Sequence, residues 1–546
     1  MNKFFTLIFL VFGLLAADSD WVVGQEMVLV KEISANELNY SRTIYSSEDK
    51  LFFTISPFQG SVQLDLWVTD GTEEGTVFLH KLPQNPQLDV YQGVCYFSGF
   101  DEEHGKELWR SDGTIDGTYR LTDLAEGSAN AMPMAMVGFK DAVYFWTFTE
   151  ESDEQMNMYS IELGTGNIVL EEVIELTKPS NPSISPMLNK HRVVIGETLY
   201  FAATDFRLRK KTTRGTNSET VFDFEGEPED FITTDNFLYF ITDNETLWRL
   251  DVNTEEKINL DIYNASNFSP WSEFTPYKDI LLFNNGDHFS DGELWATDGT
   301  PTGTSLIRTY KEDNFLVNNP EYLTVFKDKV YLSVGDNYNA PDFSEVLGEG
   351  KELWVTDGTT EGTQIIIDIR EGFRSSNPRH IVTLGSLLYF IADYEQGKIG
   401  LYQSDGTADG TILLNGSLSN LGFTSSSIRR LFVIGERLHM LVTNSESNVE
   451  IWASDVINDI EVSNYLTEIK VVPNPFDKET LLVFPESLGK QVSLNVYTTI
   501  GQKVSISYDQ TKEGILLKRA GLETGMYFFE LREGDIVLGN GKLMIE

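Results

Sequence analysis

Five stretches of this sequence set an aspartate, a glycine and a threonine side by side, beginning at Asp70-Gly71, Asp112-Gly113, Asp298-Gly299, Asp357-Gly358 and Asp405-Gly406. A carboxylate next to a glycine and a hydroxyl is the raw material of a calcium or phosphate loop. A calcium loop, however, needs more oxygen ligands packed close together than these stretches carry. Turn chemistry accounts for every residue type instead. The Asp carboxylate accepts backbone N–H bonds two or three residues on, Gly358 and Gly362 supply the positive φ of a hairpin loop, and Thr359 and Thr363 add hydroxyl bonds across it. All five are therefore read as structural turns.

The remaining chemistry-bearing residues form no catalytic pattern. The six histidines are scattered, and neither HExxH nor GxSxG occurs, so no catalytic residue is assigned. Glycoside cleavage needs paired carboxylates, or a cluster of arginines where the sugar is acidic. No two arginine-bearing loops converge by sequence, although carboxylates from distant segments can meet when repeated units assemble. Binding candidates fall in stretches read as long irregular loops, where function concentrates. Segment 335–351 carries Asp336, Asn337, Tyr338, Asp342 and Glu345, segment 261–277 carries Phe268 and Trp271, and segment 147–158 is acid-rich. Acids with a few aromatics suit calcium or a glycan. Calcium is the one cofactor suggested, and no ligand set for it is identified.

Composition narrows the partners. The 546 residues include 84 acidic against 41 basic, a net charge of −43, which excludes nucleic acid and anionic membrane surfaces and favours cations or a basic partner. Aromatics at 12% and 43 glycines fit many short strands joined by turns. Cys95 is the only cysteine, so no internal disulfide forms, and within VCYFSG it reads as a small core hydrophobe. Residues 1–25 read as a secretory signal peptide: Lys3, an apolar run over 4–15, and the small exit Ala16-Ala17. That run is too short to span a bilayer, so no transmembrane segment is expected in the mature protein. Cleavage falls after Ala17 or nearer Gln25.

The turns are positioned by a repeat. Each follows a strand with a large aromatic (Trp67, Trp109, Trp295, Trp354, Tyr402), and degenerate versions lie at 158–167, 208–217, 247–256 and 451–460. A short apolar strand precedes each, as in DKVYLS at 328–333, giving nine copies. Using the best copy, a unit reads as four antiparallel strands, and four-stranded sheets repeating at about 40–50 residues signal propeller blades. Eight or nine blades are expected, with the copy near Leu208 weak enough to be an irregular blade or an insertion. MVLVKEI at 27–33 resembles a fourth strand arriving before any first strand, and is expected to complete the last blade beside Trp452. The unit aromatics, including Trp248 and Trp452, are read as packing between blades. Over residues 27–465 the chain resembles the ELWxxDGT-repeat proteins, secreted bacterial proteins whose repeats are expected to form propeller blades.

After residue 464 the pattern changes. VVPNPF, VSLNVYTTIGQKV and GLETGMYFFELREG alternate apolar residues between glycine turns, which predicts a small β-sandwich. This tail resembles the type A C-terminal sorting domain of type IX secretion cargo, with Thr498 standing where the second element usually has Asp. The resemblance implies export across the outer membrane of a Gram-negative bacterium, with recognition of residues 465–546 by the type IX machinery.

The expected organisation is thus a signal peptide (1–25), an all-β propeller (26–464) and a C-terminal sorting domain (465–546), secreted or held on the outer face of the outer membrane. The expected activity is binding or adhesion to a glycan or protein rather than catalysis. Two other readings remain: an extracellular polysaccharide hydrolase or lyase, and a structural component of the cell envelope or motility surface.

Overall fold

A computed structural model describes residues 27–545, apart from 34–43, 57–62, 176–191, 263–272, 286–291, 311–318, 340–345, 455–469, 484–492 and gaps of one to four residues. The chain divides into two compact units, one spanning 24–457 and the other including 458–546. Residues 1–25, expected to be a signal peptide, lie outside the described residues.

The first unit is built from strands whose middle members are apolar on both sides. LFFTI at Leu51–Ile55 is buried at every position, and Phe237–Thr242 and Ile280–Asn284 are buried beyond their first residue. A strand apolar on both faces needs a neighbour on each side of its sheet. Nine four-stranded antiparallel sheets among the described residues meet that need; they are numbered as blades in chain order, with strands falling within 44–82 (blade 1), 88–120 (2), 134–175 (3), 192–223 (4), 229–259 (5), 274–310 (6), 321–367 (7), 379–415 (8) and 428–454 together with 27–33 (9). In blade 7 the strands are Glu321–Phe326, Lys329–Asn339, Val346–Thr356 and Gln364–Ile367, paired in sequence order.

Nine separate apolar clusters fill the nine interfaces between successive blades. Alternation along the second strand divides its side chains between two of them. In blade 1, Leu51, Phe53 and Ile55 join the cluster shared with blade 9, while Phe52 joins the one shared with blade 2. The unit aromatics all lean the same way. Trp109, Trp354 and Trp452 sit in the clusters shared with the preceding blade, as do Trp67, Trp248, Trp295 and Tyr402. Burying such a side chain stabilises by about 1.5–3 kcal/mol.

Both chain ends of the ring meet in one sheet. Met27–Ile33 pairs antiparallel with Val449–Ser454, bringing Leu29 opposite Trp452, so the early strand completes blade 9 (Ile428–Ile434, Arg437–Thr443, Val449–Ser454). The weak copy near Leu208 is neither insertion nor irregular. Arg192–Ile195, Thr198–Ala203, Arg207–Lys211 and Glu219–Asp223 form a complete blade 4. Its turn lacks Asp-Gly-Thr and is held differently, by a fully enclosed pair in which Lys211 Nζ lies 3.0 Å from Glu171 Oε2 of blade 3. Ser160 Oγ and the Gly215 N–H also donate to Glu171, at 2.6 Å each.

In the Asp-Gly-Thr turns one bonding set recurs. In blade 7, Asp357 Oδ1 accepts from Thr359 N (3.0 Å) and Thr359 Oγ1 (2.7 Å), Gly362 N donates to Thr359 Oγ1 (3.0 Å), and Thr363 Oγ1 donates to Thr359 O (2.6 Å). Blades 1, 2, 6 and 8 repeat it around Asp70, Asp112, Asp298 and Asp405. Gly358 takes φ +90°, as expected of a turn glycine. Gly362 does not adopt positive φ and is required for another reason: a Cβ there would lie 2.0 Å from Asp357 Oδ1. Lysines tie three of the five turns to the preceding blade. Lys50 Nζ donates to Asp112 O (2.9 Å), Lys327 Nζ to Asp405 O (2.9 Å), and Lys31 Nζ, on the closing strand, to Thr76 O (2.7 Å).

The second unit contains two four-stranded antiparallel sheets, one formed by Lys470–Val472, Glu479–Val483, Gly514–Lys518 and Ser507–Gln510, the other by Lys503–Val504, Ser493–Thr498, Gly525–Glu533 and Ile536–Ile545. They share a core that includes Phe476, Leu482, Val496, Leu517, Phe529 and Leu543.

Two outcomes follow for stability. Gly362→Ala is expected to cost about 1–3 kcal/mol and to become nearly neutral in an Asp357→Ala background, whereas Gly358→Ala stays costly in both; a double-mutant cycle by thermal unfolding checks this. Glu171→Ala strands the enclosed Lys211 and is expected to cost about 3–5 kcal/mol, a larger loss than Asp357→Ala, measured the same way.

Candidate functional site

A four-stranded meander puts its first-to-second and third-to-fourth turns on one face of the ring. The second-to-third hairpins and the blade-to-blade connections lie on the other. The turn face is occupied by the hydrogen bonds just described, so a site is sought on the opposite, connection face.

Two stretches expected to be irregular loops there are strands. The second and third strands of blade 7 extend as one hairpin, pairing Asp336 with Glu349, Asn337 with Gly348 and Tyr338 with Leu347. Blade 3 does the same with Ala142–Thr149 and Ser152–Glu162. Met156 and Met158 continue the apolar alternation in blade 3, whereas the residues paired beyond Val334 in blade 7 carry no such pattern in their sequence. Asp336, Asn337 and Tyr338 thus lie on a paired strand, while Asp342, Glu345, Phe268 and Trp271 fall outside the described residues. Among the described residues no three His, Cys, Asp or Glu side chains converge as a metal site.

What the connection face does contain is an open groove of about 410 Å³ between blades 7 and 8. Arg370, Glu371 and Arg374 line it from the blade 7–8 connection, and Tyr394, Glu395 and Gln396 from the hairpin of blade 8. The connection is anchored from beneath by the third strand of blade 7. Glu352 is fully enclosed; its Oε2 accepts from Ile369 N (3.0 Å) and Ser376 Oγ (2.5 Å), and its Oε1 from Ser376 N (2.8 Å). Lys351 O accepts from Ser376 N and Asn377 N, both at 3.0 Å. A Cβ at Gly350 would meet the Arg374 carbonyl carbon and oxygen at 2.3 Å, so glycine lets the connection settle onto the strand.

Toward the inner edge, Arg379 Nη1 lies 3.4 Å from Asp393 Oδ1, which also accepts from Ser425 Oγ at 3.0 Å. The neighbouring His380 ring packs edge-on against Tyr322, with centroids 5.8 Å apart. Tyr322 and His380 both take positive φ, 58° and 55°, at bulges in the innermost strands. Burial, with Arg379 and Arg430 adding positive charge nearby, lowers the His380 pKa to about 4, which keeps the ring neutral. Glu273 caps Leu323 N at 2.7 Å, and burial raises its pKa.

Burial raises the Glu352 carboxyl to about 7, with Asp368 adding to the rise and the bonds from Ser376 and Ile369 opposing it. That is the range of a general acid, yet Glu352 is enclosed and committed to backbone donors. The arginines, by contrast, do come together: Arg370 and Arg374 share the groove, and Arg379 and Arg430 flank His380. Sequence reasoning missed the groove and Glu352. The available signal was the GKELW spelling at 350–354, whose lysine and glutamate departed from a pure turn motif.

No family model matches the chain, and no curated protein matches it. Among solved structures it is similar to BamB from Moraxella catarrhalis (12% identity, TM-score 0.34, covering 78% of this chain and 99% of that one). It is also similar to the β-propeller domain of the Trilobed protease from Pyrococcus furiosus (13%, 0.29, 59% and 95%) and to the computationally designed Ika8 protein (14%, 0.37, 67% and 95%). At these values the propeller assignment rests on the nine sheets themselves.

The Glu352 carboxyl gives a pH signature. Its folded pKa, about 7 against an ordinary 4.5, means the folded chain holds this proton more tightly. The stabilisation is complete below about pH 4.5 and is lost as pH rises through 7, up to about 3 kcal/mol in all. Thermal melts of wild type and Glu352→Gln between pH 4 and 8 are expected to show a difference that changes across pH 4.5–7 and is flat above; parallel curves would contradict the assignment.

Proposed function

We propose that the propeller is the binding module of an exported protein and that its ligand is a saccharide held in the blade 7–8 groove. The observation that carries this reading is the groove itself: open, polar, about 410 Å³, with the half-buried Tyr394 among charged side chains. Recognition sites of this kind combine an apolar face with a few placed polar groups. The Tyr394 ring offers a surface for the CH face of a pyranose, and the surrounding arginines and acids offer hydrogen bonds to its hydroxyls. Backbone bonds to Glu352 and Lys351 fix the connection that carries Arg370 and Arg374, which limits the ordering cost of binding.

Delivery is part of the same proposal. Residues 1–25 act as the signal peptide, and the two-sheet C-terminal unit acts as the type A sorting domain read by the type IX machinery, forming a β-sandwich. The protein is then secreted or attached to the outer face of the outer membrane. Calcium, if bound, belongs to the acid-rich hairpins.

A glycan array probed with the full chain, with released sugar assayed in the same wells, tests the reading. Binding without turnover is expected; because Tyr394 also packs against the core between blades 7 and 8, Tyr394→Leu, which keeps apolar packing there, is expected to weaken binding at least tenfold with little change in melting temperature. Released sugar would favour a hydrolase or lyase, and silence across the array would favour a structural role.

A further inference from the structure

The device that holds the blade 7–8 connection is built twice in this chain. Gly105-Lys106-Glu107-Leu108-Trp109 of blade 2 matches Gly350-Lys351-Glu352-Leu353-Trp354, and the connection that follows reads DLAEGSANAMPM at 123–134 against DIREGFRSSNPR at 368–379. The lysine bonds are equivalent, and the two glutamates share one donor position, Leu124 N in blade 2 and Ile369 N in blade 7. Lys106 N donates to Asn130 Oδ1 as Lys351 N donates to Ser375 Oγ, both at 2.9 Å. Lys106 O accepts from Ala131 N and Met132 N, at 2.9 and 3.3 Å, as Lys351 O accepts from Ser376 N and Asn377 N. Enclosed Glu107 accepts from Leu124 N, Ala125 N and Thr122 Oγ1. Even the backbone exceptions coincide: Met132 and Asn377 have φ 51° and 48°, Ala135 and His380 φ 54° and 55°. A Cβ at Gly105 would meet Ala129 O at 2.0 Å, as one at Gly350 would meet the Arg374 carbonyl.

The two copies therefore form an internal control. The fold needs backbone donors and acceptors along this connection, and at four of its positions the first copy manages with Ala125, Ala129, Met134 and Ala135. The second copy has Arg370, Arg374, Arg379 and His380 there. In a chain with 84 acidic residues to 41 basic, Arg379 is accounted for by its ion pair with Asp393, while Arg370 and Arg374 line the groove at positions where the twin connection folds with alanines, which points to a ligand.

We propose that the blade 7–8 groove binds an anionic saccharide, a sugar chain bearing carboxylate or sulfate groups, with Arg370 and Arg374 as the anion partners and Tyr394 as the stacking surface. This rests on the saccharide reading above and specifies its substrate class. Guanidinium groups match such anions with parallel N–H donors. Arg370 uses Nη1 on Ser375 O at 3.0 Å, which steadies the side chain at the groove. Arg379 is held by Asp393 and contributes its field rather than a direct contact. Of the two acids lining the groove, Glu395 is paired with Lys398 at 2.5 Å; Glu371 repels an anion placed beside it and so restricts where along the sugar chain the anionic groups sit.

The test is calorimetric titration of the full chain, and of Arg370→Ala/Arg374→Ala, with oligogalacturonate, sulfated dextran and neutral dextran of matched length at low and raised salt. The double change restores the blade 2 residues, so folding is expected to survive; Arg374→Gln, on an exposed side chain, serves if it does not. At least one acidic chain is expected to bind tenfold or more tighter than the neutral one, to weaken with salt, and to lose at least tenfold in the variant. Which acidic chain binds separates carboxylate from sulfate recognition. Equal affinity for acidic and neutral chains, or a variant that binds like wild type, would overturn the anion site and leave saccharide binding standing. Absence of binding to all three overturns both.

Discussion

Everything in the ring depends on the two-sided burial of the second strand in each blade. A strand such as Leu51–Ile55, buried at every residue and apolar at all but Thr54, has no stable place at the surface of a lone sheet; it is satisfied only when a second sheet covers each face. Stacking neighbours solves the problem for eight interfaces and moves it to the two ends. Pairing Met27–Ile33 with Val449–Ser454 joins those ends in one sheet, and the cluster of Ile33, Phe53, Phe432 and Ile451 fills the ninth interface. Closure is thus a packing requirement, and the displaced first strand is how the chain meets it.

Closure also separates the two faces by role. Asp-Gly-Thr turns, three of them cross-linked by lysines from the preceding blade, use their polar groups on one another. On the opposite face the connections vary in length and sequence because no shared bonding set constrains them, except where GKELW recurs. There a buried glutamate and the lysine backbone hold a connection through its backbone groups and a few short polar side chains. At the remaining positions of that connection blades 2 and 7 differ, with alanines in one and arginines in the other.

The parts of the fold written as repeats were legible in the sequence. Nine copies of an apolar strand, the packing of Trp354 and Trp452 between blades, and the closing strand all follow from periodicity and from one strand out of order; the direction in which the aromatics lean does not. Blade 4 was obscured because Lys211 and Glu171 replace the turn motif with a long-range ion pair that no local pattern encodes. Gly362 was assigned to turn geometry, whereas it is fixed by a carboxylate five residues earlier that folds back onto it. The site was less legible still. Charged residues at 335–351 suggested loops, yet the strand pairing continues through Asn339; the groove arises where residues about 25 apart, Arg370 and Tyr394, are brought together by adjacent blades.

The account assigns binding to one sector of one face, and hydrogen exchange of the full chain with and without saturating oligogalacturonate tests that placement most directly. The account expects new protection in 369–376 and 393–396, with the Asp-Gly-Thr turns unchanged. Protection confined to the turn face, or none in the blade 7–8 sector, would contradict it.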